Sequence, residues 1–150
     1  MSMRIAVASD HAGFELKQKI VSWLAARPAY EALDLGPGNT ERTDYPDWAA
    51  RVAQAIASGE AERGVLICGS GIGISIAANK HPGIRAALVH DVTTARLCRA
   101  HNDANVLCMG QRIVGDEVAE NALDAFLETT FAGGRHTGRV AKIRAAEGNC

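Results

Sequence analysis

The sequence has no excess of either charge: 16 Lys and Arg against 17 Asp and Glu leave a formal net charge of -1. A chain so balanced offers no basic field to a nucleic-acid backbone, which excludes generic polyanion binding. No apolar run approaches the roughly 18 residues needed to span a bilayer. Cysteine is sparse and unpaired, since Cys68, Cys98, Cys108 and Cys150 form no C-x-x-C motif. The first nine residues carry no charged-then-apolar leader. A reducing, cytoplasmic setting is the expectation. The H-x-x-x-H pattern is missing, so no metal is expected. The phosphate-loop pattern G-x-x-x-x-G-K-[ST] is missing too, which excludes that class of NTPase. There is no internal repeat and no low-complexity linker.

What remains is ordinary globular composition, 47% hydrophobic and 22% charged. The 150 residues suit a single domain over 1–150. A chain of that length buries roughly 68–70% of its unfolded surface and needs no staples. Short apolar runs alternate with amphipathic segments. Strands are predicted at 5–9, 30–35, 65–68, 85–90 and 105–109. Helices are predicted at 14–27, 47–58, from 74 to about 80, and at 92–100, 118–127 and 137–146. In the first helix Leu16, Ile20 and Leu24 share a face, with Lys17 and Lys19 outside it. Strands that are apolar throughout are buried on both sides. The pattern predicts an α/β three-layer, Rossmann-like fold with a five-stranded, mostly parallel sheet. Ligands in such folds sit beyond the carboxyl ends of the strands.

Four groups there could carry chemistry. Gly69, Gly71 and Gly73 lie between a strand and a helix, where backbone N–H groups make an anion site. The alternative is a tight turn that binds nothing. A dinucleotide site is a rival, with Asp91 as its ribose acid, but the third glycine of G-x-G-x-x-G would be residue 74, which is Ile74. Cys68 directly precedes the turn, a setting that favours a thiolate able to act as base or nucleophile. Its alternative is a small buried hydrophobe, the role expected of Cys98 and Cys108. Cys150, at the end of the chain, is expected to be free and exposed. Asp10 and His11 end the first strand, and His101 follows a helix; His81, His90 and His136 read as surface or capping residues. Arg135 and Arg139, four apart, and Arg112 could grip phosphate or simply face solvent.

Taken together, six segments resemble one known family. They are S-D-H-A-G-F at 9–14, R-T-D-Y-P at 42–46, I-C-G-S-G-I-G-I-S-I-A-A-N-K at 67–80, H-N-D-A-N-V-L at 101–107, G-Q-R at 110–112 and G-G-R-H-T-G-R-V at 133–140. In collinear order over nearly the whole chain, they resemble the type B ribose-5-phosphate isomerases, in the wider group that includes the galactose-6-phosphate isomerase subunits. The resemblance implies an aldose-ketose isomerase that needs no cofactor. Cys68 matches the base that moves a proton between C2 and C1 of an open-chain sugar phosphate. Gly69, Ser70, Gly71, Ile72 and Gly73 match the loop that holds the enediolate. Ser70 stands where many members carry threonine, a hydroxyl that shuttles protons between O1 and O2. His101 matches the ring-opening group, with Asp10 assisting. Asn102 matches a ligand of a sugar hydroxyl. His11, Arg112, Arg135 and Arg139 match phosphate and sugar contacts, and Tyr45 lies at the edge of the site. One branch uses a glutamate base at the position held here by Ile74, so this chain resembles the cysteine branch. Members are homodimers, in some cases tetramers, with each site built from two subunits. His101, Asn102 and Arg112 would then face Cys68 of the other chain, and the last helix would pack at the interface. The expected reaction is interconversion of ribose 5-phosphate and ribulose 5-phosphate. Three alternatives remain open at this point: a six-carbon sugar phosphate, such as allose or galactose 6-phosphate; a non-catalytic sugar-phosphate or nucleotide-binding module; and a dinucleotide-dependent oxidoreductase.

Overall fold

The computed structural model describes residues 1–148 and forms one five-stranded sheet in the order β2-β1-β3-β5-β4, every neighbouring pair parallel. Cys150 lies outside the described residues. The strands are β1 (Met3–Ser9), β2 (Tyr30–Gly36), β3 (Arg63–Cys68), β4 (Ala86–Leu88) and β5 (Val106–Gly110). Helices α1 (Phe14–Ala25), α2 (Tyr45–Ala57), α3 (Ile72–Ala78), α4 (Val92–Asn102), α5 (Asp116–Glu128) and α6 (Arg135–Glu147) complete the chain, with a 3₁₀ turn at His11–Gly13.

Two cores flank the sheet, and the two-residue period of a strand assigns each side chain to one of them. Ile5, Val7, Val65, Ile67, Leu107 and Met109 point towards α1, α4 and α5, where they meet Ile20, Leu24, Leu123 and Phe126. Ala6, Ala8, Leu66, Cys68, Val106 and Cys108 point the other way, onto α2 and α3. Each large apolar side chain sealed in this way contributes about 1.5–3 kcal/mol. The continuous apolar runs of the three central strands therefore reflect burial on both sides, as expected. Cys98 and Cys108 are core residues; burial pushes the Cys98 thiol up to about 11 and raises that of Cys108 further.

Two local expectations change. Lys17 is not outside the apolar face of α1 but fully buried, its Nζ 2.8 and 3.0 Å from the two carboxylate oxygens of Asp34. That pairing makes the burial tolerable, because a buried ammonium needs a partner of opposite charge. β4 is a three-residue edge strand rather than six. The next donor on β5, the Gly110 N–H, goes to the His90 Nε2 at 2.9 Å instead of to a backbone carbonyl, which ends the ladder. The expected five-stranded, mostly parallel sheet is present, with every pair parallel. Among the described residues no helix is long and apolar enough to cross a membrane.

Candidate active site

β3 ends at Cys68, and the chain turns at once into α3 through Gly69, Ser70 and Gly71. Gly71 caps α3 with φ 77° and ψ -14°, the left-handed region that an L side chain rarely adopts. The Gly71 N–H donates to the Cys68 sulfur, 3.1 Å away. The Ile72 N–H donates to the Ser70 Oγ at 3.1 Å, and the first bond within α3 runs from Ser75 N–H to Gly71 O. The amides of Gly69, Ser70 and Gly73 are left without a partner among the described residues. The turn is held from behind by the segment after β5. There Gln111 N–H donates to Cys68 O and Arg112 N–H to Gly69 O, both at 3.0 Å.

The facing wall comes from the end of β1 and the segment before α2. Asp10 is buried, and its Oδ1 accepts the N–H groups of Ala12 and Gly13 at 3.0 and 3.1 Å. That bond holds the 3₁₀ turn in place. The His11 Nδ1 lies 3.2 Å from both the N–H and the carbonyl of Thr43, tying this wall to the segment that carries Arg42 and Tyr45. Tyr45 lies against Gly73, where a Cβ would come within 2.6 Å of the ring. Asp10, His11, Arg42, Tyr45, Cys68, Gly69, Ser70, Ile72 and Gly73 line one open crevice, closed on its far side by Arg112 and Ile113. The Arg112 guanidinium lies over Gly69, its Nη1 3.1 Å from where a Cβ would stand. An ionisable sulfur, unpaired amides and cationic side chains thus converge in one place. Such a crevice suits an anionic ligand and an oxyanion forming beside the sulfur.

Arg112 requires a correction. The resemblance placed it opposite the partner's Cys68, but its backbone clamps the cysteine turn of its own chain, and its side chain reaches the same crevice. His101, Asn102, Arg135 and Arg139 are not in that crevice. α4 runs back from the carboxyl end of β4, so His101 and Asn102 sit near the amino end of β5. There the His101 ring stacks on His136, with centroids 4.3 Å apart and planes 15° from parallel. His136 opens α6 between Arg135 and Arg139. Desolvation first, then the charges of His101, Arg135 and Arg139, lowers the pKa of His136, so these four side chains form one cluster away from the crevice. Arg42 and Ile113 in the crevice, and His136 in the cluster, were not among the expected site residues. Arg42 could have been found, because it stands three residues before Tyr45 in the R-T-D-Y-P stretch.

The sequence profile of the ribose/galactose isomerases matches residues 5–143. The chain belongs to that family. A ribose-5-phosphate isomerase B from Escherichia coli is 51% identical over 144 residues, covering 96% of each chain. Among solved family members, ribose-5-phosphate isomerase B of Clostridium thermocellum superposes with a TM-score of 0.96 at 49% identity, covering 98% of this chain and 99% of the other. The Mycoplasma genitalium enzyme with bound ribulose-5-phosphate gives 0.93 at 42% identity, covering 100% and 99%. Relatives of this identity over whole chains indicate an aldose-ketose isomerase rather than an oxidoreductase, on the fold of the solved family members.

Proposed function

We propose that the chain interconverts ribose 5-phosphate and ribulose 5-phosphate by proton transfer through a cis-enediolate, with the Cys68 thiolate as base. The observation that carries this reading is the Cys68 sulfur on the Gly71 N–H, at the mouth of a turn whose other amides are unpaired. The thiolate takes the proton from C2 of the open-chain aldose, and the electron pair moves through C1 onto O1. The partnerless amides of Gly69, Ser70 and Gly73 face that developing charge; one such donor is worth about 10²–10³ in rate. The Ser70 hydroxyl carries a proton between O2 and O1, and the Cys68 thiol returns its proton to C1, giving the ketose. His11 and Arg112 hold the substrate from within the same chain, with Tyr45 along the edge.

The rest of the site comes from a second copy. His101, with Asp10 assisting across the crevice, opens the furanose ring; Asn102 binds a hydroxyl; Arg135 and Arg139 fork onto phosphate oxygens. An exposed apolar face supports this assembly. Ile72 and Ile76 on α3, Leu88 on β4 and Val92 beginning α4 are each 40–57% exposed, along an edge strand whose backbone lacks a neighbour. α6, which buries Val140 alone and starts within the His101 cluster, packs at the same interface. The free cysteines at 68, 98 and 108, among the described residues, suit a reducing cytoplasm.

The test is a coupled isomerase assay with EDTA present, comparing five- and six-carbon sugar phosphates. Ribose 5-phosphate should be turned over, with kcat/KM at least about tenfold above that for allose or galactose 6-phosphate, the discrimination that one extra carbon in a fitted site supports. A preference for either hexose phosphate would move the assignment to a six-carbon substrate, and binding without turnover would make the protein a sugar-phosphate carrier.

A further inference from the structure

His90 has no part in the chemistry above, yet it is tied to the catalytic turn from behind. It follows β4, is half-buried, and its Nε2 accepts the Gly110 N–H at 2.9 Å. A ring nitrogen that accepts must be bare, so the imidazole is neutral and carries its hydrogen on Nδ1. Gly110 in turn presses directly on the turn. A Cβ there would stand 2.5 Å from the Ser70 carbonyl oxygen and carbon, so nothing but backbone fits between them. Gly71 meets the same peptide from the other side, where a Cβ would be 2.7 Å from the Met109 carbonyl carbon and 2.9 Å from the Gly110 nitrogen. Immediately after Gly110, the amides of Gln111 and Arg112 hold the carbonyls of Cys68 and Gly69. The peptide that His90 anchors is therefore the floor on which the turn rests.

We propose that His90 is a positioning residue for the isomerisation: its neutral ring fixes the Met109–Gly110 peptide, which keeps the 69–71 turn and the Gly71 N–H in place around the Cys68 sulfur. This rests on the isomerase reading given above. The charged group that acts on the ring is Asp91, the next residue on its own segment. Burial lowers the pKa of His90, and the Asp91 charge opposes that shift without cancelling it. Protonation would set an Nε2–H against the Gly110 N–H, two donors facing each other. The anchor is whole above about pH 6.5, the ordinary histidine value, and is lost as the pH falls through the lowered one.

The experiment compares wild type with His90→Gln and His90→Leu. Gln carries an amide oxygen to the place of Nε2 and does not titrate; Leu fills the space and accepts nothing. At about pH 8, His90→Gln should keep kcat within about threefold of wild type. His90→Leu should lose about tenfold in kcat with KM changed less than about twofold, a fraction of the hundredfold that a 1 Å misplacement costs. As the pH falls through the lowered His90 value, the ratio of His90→Gln to wild-type kcat should rise several-fold, because only wild type loses its anchor. Nitrogen NMR should find Nε2 bare in wild type at about pH 8, and the Gly110 amide resonance should move in His90→Leu but not in His90→Gln. Equal losses in the two variants, a wild-type kcat in His90→Leu, or parallel pH profiles for wild type and His90→Gln would each overturn the proposal. If His90→Leu fails to fold, the Gln pH ratio and the wild-type NMR decide alone. A wild type that does not turn over ribose 5-phosphate would sink the isomerase reading instead, and the NMR result would still report the anchor.

Discussion

Cys68→Ser should lower kcat on ribose 5-phosphate by about 10²–10⁴, the usual contribution of a positioned base, with KM nearly unchanged. The substitution alters one atom in a site that remains intact. A serine Oγ can accept the same Gly71 N–H, and the turn is held by Gln111 and Arg112 through backbone alone, so neither bond needs the sulfur. What is lost is acidity, because an alcohol ionises far less readily than a thiol and cannot supply the anion that attacks a carbon-bound proton. The side chain is also small, so the melting temperature should stay within a few degrees of wild type. Steady-state kinetics beside a thermal melt checks both statements. A loss below about tenfold would mean that another group takes the proton.

The second large effect concerns assembly. Cys68→Ala and His101→Ala should each be nearly inactive alone, yet mixing them should restore activity. His101 sits near the amino end of β5, while Cys68 ends β3 at the carboxyl edge. The five residues of β5 separate these two levels by roughly 16 Å at about 3.3 Å per residue, too far for one chain to close. In an equimolar mixture with free subunit exchange, half of the dimers are mixed, and each has one crevice with both residues intact. Activity should therefore recover to about a quarter of wild type. Arg139→Ala should complement Cys68→Ala in the same way, since it shares the His101 cluster. Native mass spectrometry shows whether subunits have exchanged. Exchange without recovery would mean that each chain builds its site alone.

Much of this architecture could be read before any coordinates. The unbroken apolar runs at 65–68 and 105–109 announced strands covered on both sides, and the glycines after Cys68 announced a turn at a strand's carboxyl end. Both signals are local, which is why they are legible. The features that escaped reading depend on partners distant in sequence. Lys17 looks like a surface residue until Asp34, on β2, comes to its side. His90 looks like a cap until the Gly110 amide turns towards it. Arg112 looks as free as Arg135 until its backbone is seen to clamp Gly69. The stack of His101 on His136 joins two helices that no periodicity relates. The family resemblance expected Arg112 opposite the Cys68 of a second copy, whereas it lines the crevice of its own chain.

The most direct test follows alkylation of the thiols by iodoacetamide, mapped by mass spectrometry, with activity measured on the same samples. Cys98 and Cys108 are buried with thiols raised by desolvation, so they should react slowly. The account predicts that one label on Cys68 abolishes turnover and that ribose 5-phosphate slows that labelling. Full labelling of Cys68 with turnover preserved would contradict it.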